Sequence, residues 1–154
     1  MSGKIETRLA ELGVTLPQAP APAANYVPYV ISGNLVHVSG QVSQDADGLI
    51  TGRLGDQLGI EEGAGAARAC AISLLAQLRA ACDGDLDRLE QVVKLTAFVN
   101  SSADFVDQPR VVNGASDFLA DALGPAAPHA RSAVGVAALP MGVAVEIEGI
   151  FRIK

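Results

Sequence analysis

The side chains best equipped for chemistry lie in residues 129–153, HARSAVGVAALPMGVAVEIEGIFRI, which carry Arg131, Glu146 and Glu148. A guanidinium offers a planar fork of donors that holds a carboxylate by two parallel hydrogen bonds, and a neighbouring carboxylate can accept or donate a proton. Together they suit a site for a small carboxylate-bearing molecule. The same residues also suit a cross-strand ion pair, Arg131 with Glu146 or Glu148, and spacing alone leaves both readings open.

Both halves of the stretch alternate as strands do, and Leu139-Pro140-Met141-Gly142 supplies turn residues between them. With Pro140-Met141 as a two-residue hairpin loop, Gly135 faces Glu146, and Arg131, Ala133, Gly135, Glu146 and Glu148 share one face. On that register Arg131 lies about 13 Å further along the ladder from Glu146, at roughly 3.3 Å per residue.

Other candidate chemistries find less support. His37 and His129 are isolated and no Cys/His spacing is ligand-like, so no metal is expected. His129 stands two residues before Arg131 and can share its face, but reads as a satisfied edge histidine. Ser39 has no acid–base partner nearby in sequence, and Gly40 after it does not complete a G-x-S-x-G elbow, so its hydroxyl reads as bonded to backbone. The glycines from Gly48 to Gly65 form neither a dinucleotide fingerprint nor a P-loop. Cys70 and Cys82, if on one helix, stand about 18 Å apart along its axis, too far for a disulfide, and read as reduced packing residues.

The elements that must position these residues follow from periodicity. Residues 5–12 read as a short amphipathic helix, and the Pro/Ala-rich run to residue 24 as an extended connector. Residues 25–30 and 34–42 read as strands, with a Gly-rich hairpin around Gly48. A long helix is expected over residues 60–82, opened by Glu61 and Glu62 and closed by Gly84. Residues 91–100, QVVKLTAFVN, are nearly continuously apolar and read as an interior strand. A second helix starts near Asp107-Gln108-Pro109 and stops at Gly124-Pro125. The sum is an α+β layer with two helices on one face of a sheet.

At 154 residues, 49% hydrophobic and 18% charged, the chain reads as one globular domain; without Trp, and with two Tyr and four Phe, its core must be aliphatic. The mean hydropathy of +0.30 is high for a monomer, and the uncovered sheet face is expected to pack on other subunits. A net charge of −6 with no basic run argues against a nucleic-acid surface. The first residues have neither a signal core nor a transit pattern, and no run approaches ~18 apolar residues, so no membrane association and a cytoplasmic location are expected.

Four stretches carry a resemblance to a known family: Asn25-Tyr26 ahead of GNLVHVSGQ at 33–41, VKLTAFV at 93–99, VNGA at 112–115, and ARS at 130–132 running through Leu139-Pro140 to VEIE at 145–148. Over residues 25–153 the chain resembles the Rid family, also called YjgF, whose older label is endoribonuclease L-PSP. The resemblance implies a chorismate-mutase-like α+β domain over 25–154, preceded by an N-terminal segment at 1–24, and a homotrimer with clefts between subunits. It implies cofactor-independent hydrolysis of reactive enamines and imines, such as 2-aminoacrylate, to 2-keto acids and ammonia. Arg131 stands at the position that holds the substrate carboxylate and Glu146 at the one that handles water and proton. Tyr26, Ser39 and Asn113 match the other polar cleft positions, and Ala133 stands where deaminating members often have Cys. A non-catalytic trimer binding small carboxylates is the alternative. RNA cleavage, suggested by the older label, fits the acidic chain least.

Overall fold

The computed structural model describes residues 3–19 and 24–154. Ahead of the sheet lies α1 (Lys4–Glu11), whose Leu9 is buried in the main core. Its first turn is tied down by Asp87, whose carboxylate accepts the Lys4 N–H at 2.8 Å and the Ile5 N–H at 3.1 Å. These charged-acceptor bonds satisfy two of the amides a helix start leaves open, and they hold the Asp87 carboxyl below its usual range. Residues 20–23 of the expected connector lie outside the described residues.

The main sheet has five strands in the order β1 (Tyr29–Ser32), β2 (Leu35–Val42), β7 (Val145–Ile153), β5 (Leu89–Asn100) and β6 (Ala130–Val136). The β5–β6 pair is parallel and the others antiparallel, which makes the sheet mixed. A small hairpin of β3 (Gln44–Asp45) and β4 (Gly48–Leu49) sits beside it. The interior strand expected at 91–100 is β5, and its apolar run reflects two paired neighbours and burial beneath the helices.

Two long helices, α2 (Ile60–Ala81) and α3 (Gln108–Leu123), cover one face. Val36 and Val38 of β2, Leu95, Ala97 and Val99 of β5, and Val145, Ile147 and Phe151 of β7 point into that layer and are buried. Alanines let the helices approach closely. At Gly114 of α3 the approach is closer still, for a Cβ built there would lie 2.0 Å from the carbonyl oxygen of Ala64 in α2. Arg68 of α2 lies over the Phe118 ring of α3, 5.0 Å from its centroid, adding a cation–π contact at the rim. Cys70 and Cys82 are free and buried, and burial pushes both thiols up, so neither presents a thiolate.

The hairpin expected from Pro140-Met141 does not form. Residues 140–142 make a 3₁₀ turn, and β5 lies between β6 and β7. The connection passes over the end of β5, where the Asn100 N–H donates to the Ala144 carbonyl at 2.9 Å and its Nδ2 to the Val143 carbonyl at 3.2 Å. Met141, with φ of 59°, and Gly142, with φ of 72°, make the sharp reversal this route requires.

The register changes with it. Arg131, Ala133 and Gly135 align with Leu95, Ala97 and Val99 of β5, which face the helices, whereas Glu146 and Glu148 align with Phe98 and Thr96 on the other face. Arg131 and the two glutamates therefore lie on opposite faces, and the intrachain ion pair is ruled out by geometry. Among the described residues no helix covers the face carrying Glu146. That face presents Val30 at 54% and Val134 at 44% exposure, an apolar surface beside half-buried Phe98 and Ile150.

Candidate functional site

The candidate site residues fall into two groups within the chain. The first gathers at the edge strand β6, beneath α3. Arg131 Nη1 donates to Ser116 Oγ at 3.0 Å and Nη2 to the Pro109 carbonyl at 3.2 Å, so α3 anchors the guanidinium at two points. A guanidinium has five N–H donors, which leaves three for a ligand. Among the described residues no carboxylate pairs with it. Arg131 and Asn113 line one cleft of about 430 Å³, together with Ser116, Ala120, Ala127 and His129. Asn113, Ser116 and Ala120 recur at helical spacing and so share the stripe of α3 that overlooks β6. Ala133 follows on the same strand face as Arg131 and packs half-buried against the core, offering the cleft no polar side chain.

The second group lies around β2 and β7. Between Val38 and Gln41, three steps along β2 match two along β7, a bulge that contains Ser39 and Gly40. The bulge turns Ser39 toward the segment ahead of β1, where its Oγ donates to the Val27 carbonyl at 2.7 Å and its N–H to the Pro28 carbonyl at 2.8 Å. This fixes the chain next to Tyr26, which is exposed. Gln41 Nε2 closes the bulge by donating to the Ser39 carbonyl at 2.9 Å. Gly40 lets Glu146 lie close to the bulge, since a Cβ there would lie 3.1 Å from Glu146 Cδ and the carboxylate would have to give by a few tenths of an ångström.

Glu146 is half-buried and its pKa is raised, first by desolvation and then by the like charge of Glu148 two residues on. A carboxylate lifted this way is a better proton acceptor than an exposed one. The structure thus places Arg131 and Asn113 in one cleft, with Ala133 next on the same strand face, places Ser39 at the Gly40 bulge against which Glu146 lies, with Tyr26 in the segment Ser39 anchors, and keeps the two sets apart. Ser116 was not singled out from sequence; its signal is the three-residue step from Asn113 on one helical stripe. His129 is bonded as a satisfied histidine would be, but inside the cleft. Among the described residues no three His, Cys, Asp or Glu side chains cluster to hold a metal ion.

Comparison with known proteins adds the family. The family model for endoribonuclease L-PSP matches residues 16–153. The protein TCP17 from Trypanosoma cruzi is 51% identical over 155 residues, covering 99% of this chain and 96% of that protein. A 2-iminobutanoate/2-iminopropanoate deaminase from Dermatophagoides farinae is 28% identical over 143 residues, covering 92% of this chain and 95% of the relative. The crystal structure of Atu1372, a protein of unknown function from Agrobacterium tumefaciens, superposes with a TM-score of 0.91 at 47% identity, covering 97% of this chain and 92% of that one. With its mixed sheet, two-helix layer and matched span, the chain belongs to the endoribonuclease L-PSP family, also called Rid or YjgF.

Proposed function

We propose that the protein hydrolyses reactive enamines and imines of small 2-amino acids to 2-keto acids and ammonia, without a cofactor, in a cleft shared between subunits of a homotrimer. The observation that carries this reading is Arg131, held by α3 with three N–H donors to spare and no carboxylate partner among the described residues. The deaminase relative supports the reaction class. The uncovered apolar face supports assembly, because only a second copy can bring an Arg131 group against a Glu146 group.

In this mechanism Arg131 clamps the substrate carboxylate and Asn113 flanks it. Water attacks the iminium carbon while Glu146 takes its proton, and that proton passes to nitrogen as the carbinolamine collapses to keto acid and ammonium. Each turnover consumes one water and needs no redox partner. Imine hydrolysis is intrinsically easy, so positioning and proton transfer are sufficient contributions from the protein. Ala133 requires that no thiol take part. No helix among the described residues is long and apolar enough to cross a membrane, and we assign the reaction to the cytoplasm, where two buried free thiols remain reduced.

The test is ammonia and keto-acid release from 2-aminoacrylate generated in situ. Wild type should exceed the spontaneous rate, and Arg131→Ala and Glu146→Gln should each fall to it. Trimers mixed from the two dead variants should recover part of the activity, since some clefts then receive both intact halves. No acceleration by wild type would sink the enzymatic reading and favour a carboxylate-binding trimer, for which Ala133 in place of a thiol is the supporting observation.

A pH prediction follows from Glu146. Its protonated form cannot accept a proton from water, so kcat should fall as pH drops through its raised pKa, with a midpoint above the ~4.3 of an unperturbed glutamate. Glu148→Gln removes the neighbouring like charge and should move that midpoint toward lower pH. A midpoint unmoved by that substitution would argue against Glu146 as the base.

A further inference from the structure

Arg131 terminates a chain of hydrogen bonds whose directions are fixed from its far end. His129 Nδ1 lies 2.7 Å from the Ala127 carbonyl, which can only accept, so Nδ1 carries the ring proton. With Nδ1 as the donor, the neutral tautomer offers Nε2 as an acceptor. Ser116 Oγ, 3.0 Å from Nε2, donates to it, and this leaves the Oγ lone pairs to accept Arg131 Nη1–H at 3.0 Å. Ala127, at the origin, is buried at 3% exposure and its own N–H donates to the Gly124 carbonyl at 3.0 Å, so the reference point is rigid.

We propose that Ser116 and His129 are positioning residues for Arg131, and through it set how tightly the cleft holds 2-keto and 2-imino acids. The inference rests on reading the cleft as a carboxylate site. An arginine side chain carries considerable rotamer entropy, and a guanidinium already fixed in its plane loses less of it when a carboxylate docks. The second anchor, Nη2 to the Pro109 carbonyl, defines that plane together with the first. A serine bonded to a histidine is also the arrangement of an activated nucleophile. Here, however, Oγ accepts from the guanidinium, which holds its lone-pair density and argues for a strut.

The experiment is calorimetric titration of the intact oligomer with pyruvate, a stable 2-keto acid, together with nitrogen-15 NMR of the Arg131 guanidinium in the absence of ligand. Ser116→Ala should weaken pyruvate binding about five- to tenfold, less than the loss of a charge-assisted bond to the ligand itself, because the guanidinium keeps its Pro109 anchor. His129→Asn keeps a donor for Ala127 but no acceptor for Ser116, and should weaken binding similarly. His129→Gln places its side-chain carbonyl near the Nε2 position and should stay within about threefold of wild type. A purely structural histidine would not distinguish the two amides. The Nη resonances should be split in wild type by restricted rotation and averaged in Ser116→Ala.

Equal pyruvate affinity in wild type and Ser116→Ala, equal weakening by Asn and Gln at 129, or averaged Nη resonances in wild type would each overturn the proposal. If wild type shows split resonances that Ser116→Ala averages, yet binds no pyruvate, positioning stands and the carboxylate-site reading is the part that fails.

Discussion

Arg131→Lys is expected to lower kcat/KM for imine hydrolysis about 100-fold or more while leaving the fold intact. An ammonium has three donors where the guanidinium has five. If two serve Ser116 and the Pro109 carbonyl, one remains for the substrate, and the bidentate grip on its carboxylate is lost. Charge-assisted hydrogen bonds contribute about 1.5–3 kcal/mol each, and ~1.4 kcal/mol corresponds to tenfold in rate, so losing one or two gives the stated size. Stability should change little, because Arg131 stands half-buried on an edge strand and contributes no side chain to the main core. Steady-state kinetics alongside thermal unfolding checks both halves. Full activity in the lysine variant would remove the clamp from the mechanism.

The largest structural effect is expected at Gly114. A methyl there would lie 2.0 Å from the Ala64 carbonyl oxygen and 2.6 Å from its carbonyl carbon, contacts no real Cβ makes. Both atoms are backbone within α2, so no side chain can swing away and the helices must separate. Overpacking of this kind costs typically 1–3 kcal/mol and more where backbone must move. Gly114→Ala should therefore lower stability by about 3 kcal/mol, or Tm by roughly 6–12 °C at 2–4 °C per kcal/mol. The gain in helix propensity of alanine over glycine, about 1 kcal/mol, acts in the opposite direction and is too small to reverse the sign. Because Asn113 and Ser116 ride on the same turn of α3, the variant should also bind pyruvate more weakly than its loss of stability explains. An unchanged Tm would mean that the helices cross less tightly than described.

Much of this was legible in the chain. Periodicity located α2, α3 and β5 to within two residues, because each has a strong apolar pattern and clear end signals at Glu61, Pro109 and the glycines beyond the helices. A glycine inside a strand admits a bulge or a close approach, and Gly40 is where Glu146 lies against the backbone. The pairing of β6 was not. Two alternating runs joined by a Pro-containing turn look like a hairpin, and local pattern does not report that a strand from forty residues earlier lies between them. That error placed Arg131 and Glu146 on one face, when they lie on opposite faces and the proposed assembly has to bridge them. Ser116 was invisible for a related reason, since a serine on a helix acquires meaning only once β6 is known to run beneath it.

The position of β7 also bears on how the chain reaches this state. It is the last strand in sequence, yet it lies between β2 and β5 and supplies the pairing that joins β1–β2 to β5–β6. Until residues 145–153 are made, the earlier strands can form only two separate ladders, each with an exposed edge. Closure of the sheet therefore awaits β7, and a nascent chain that has not yet presented it carries two pairing-competent edges. The sequence places Glu146 and Glu148 on that late strand, where their charge also discourages pairing with the wrong neighbour.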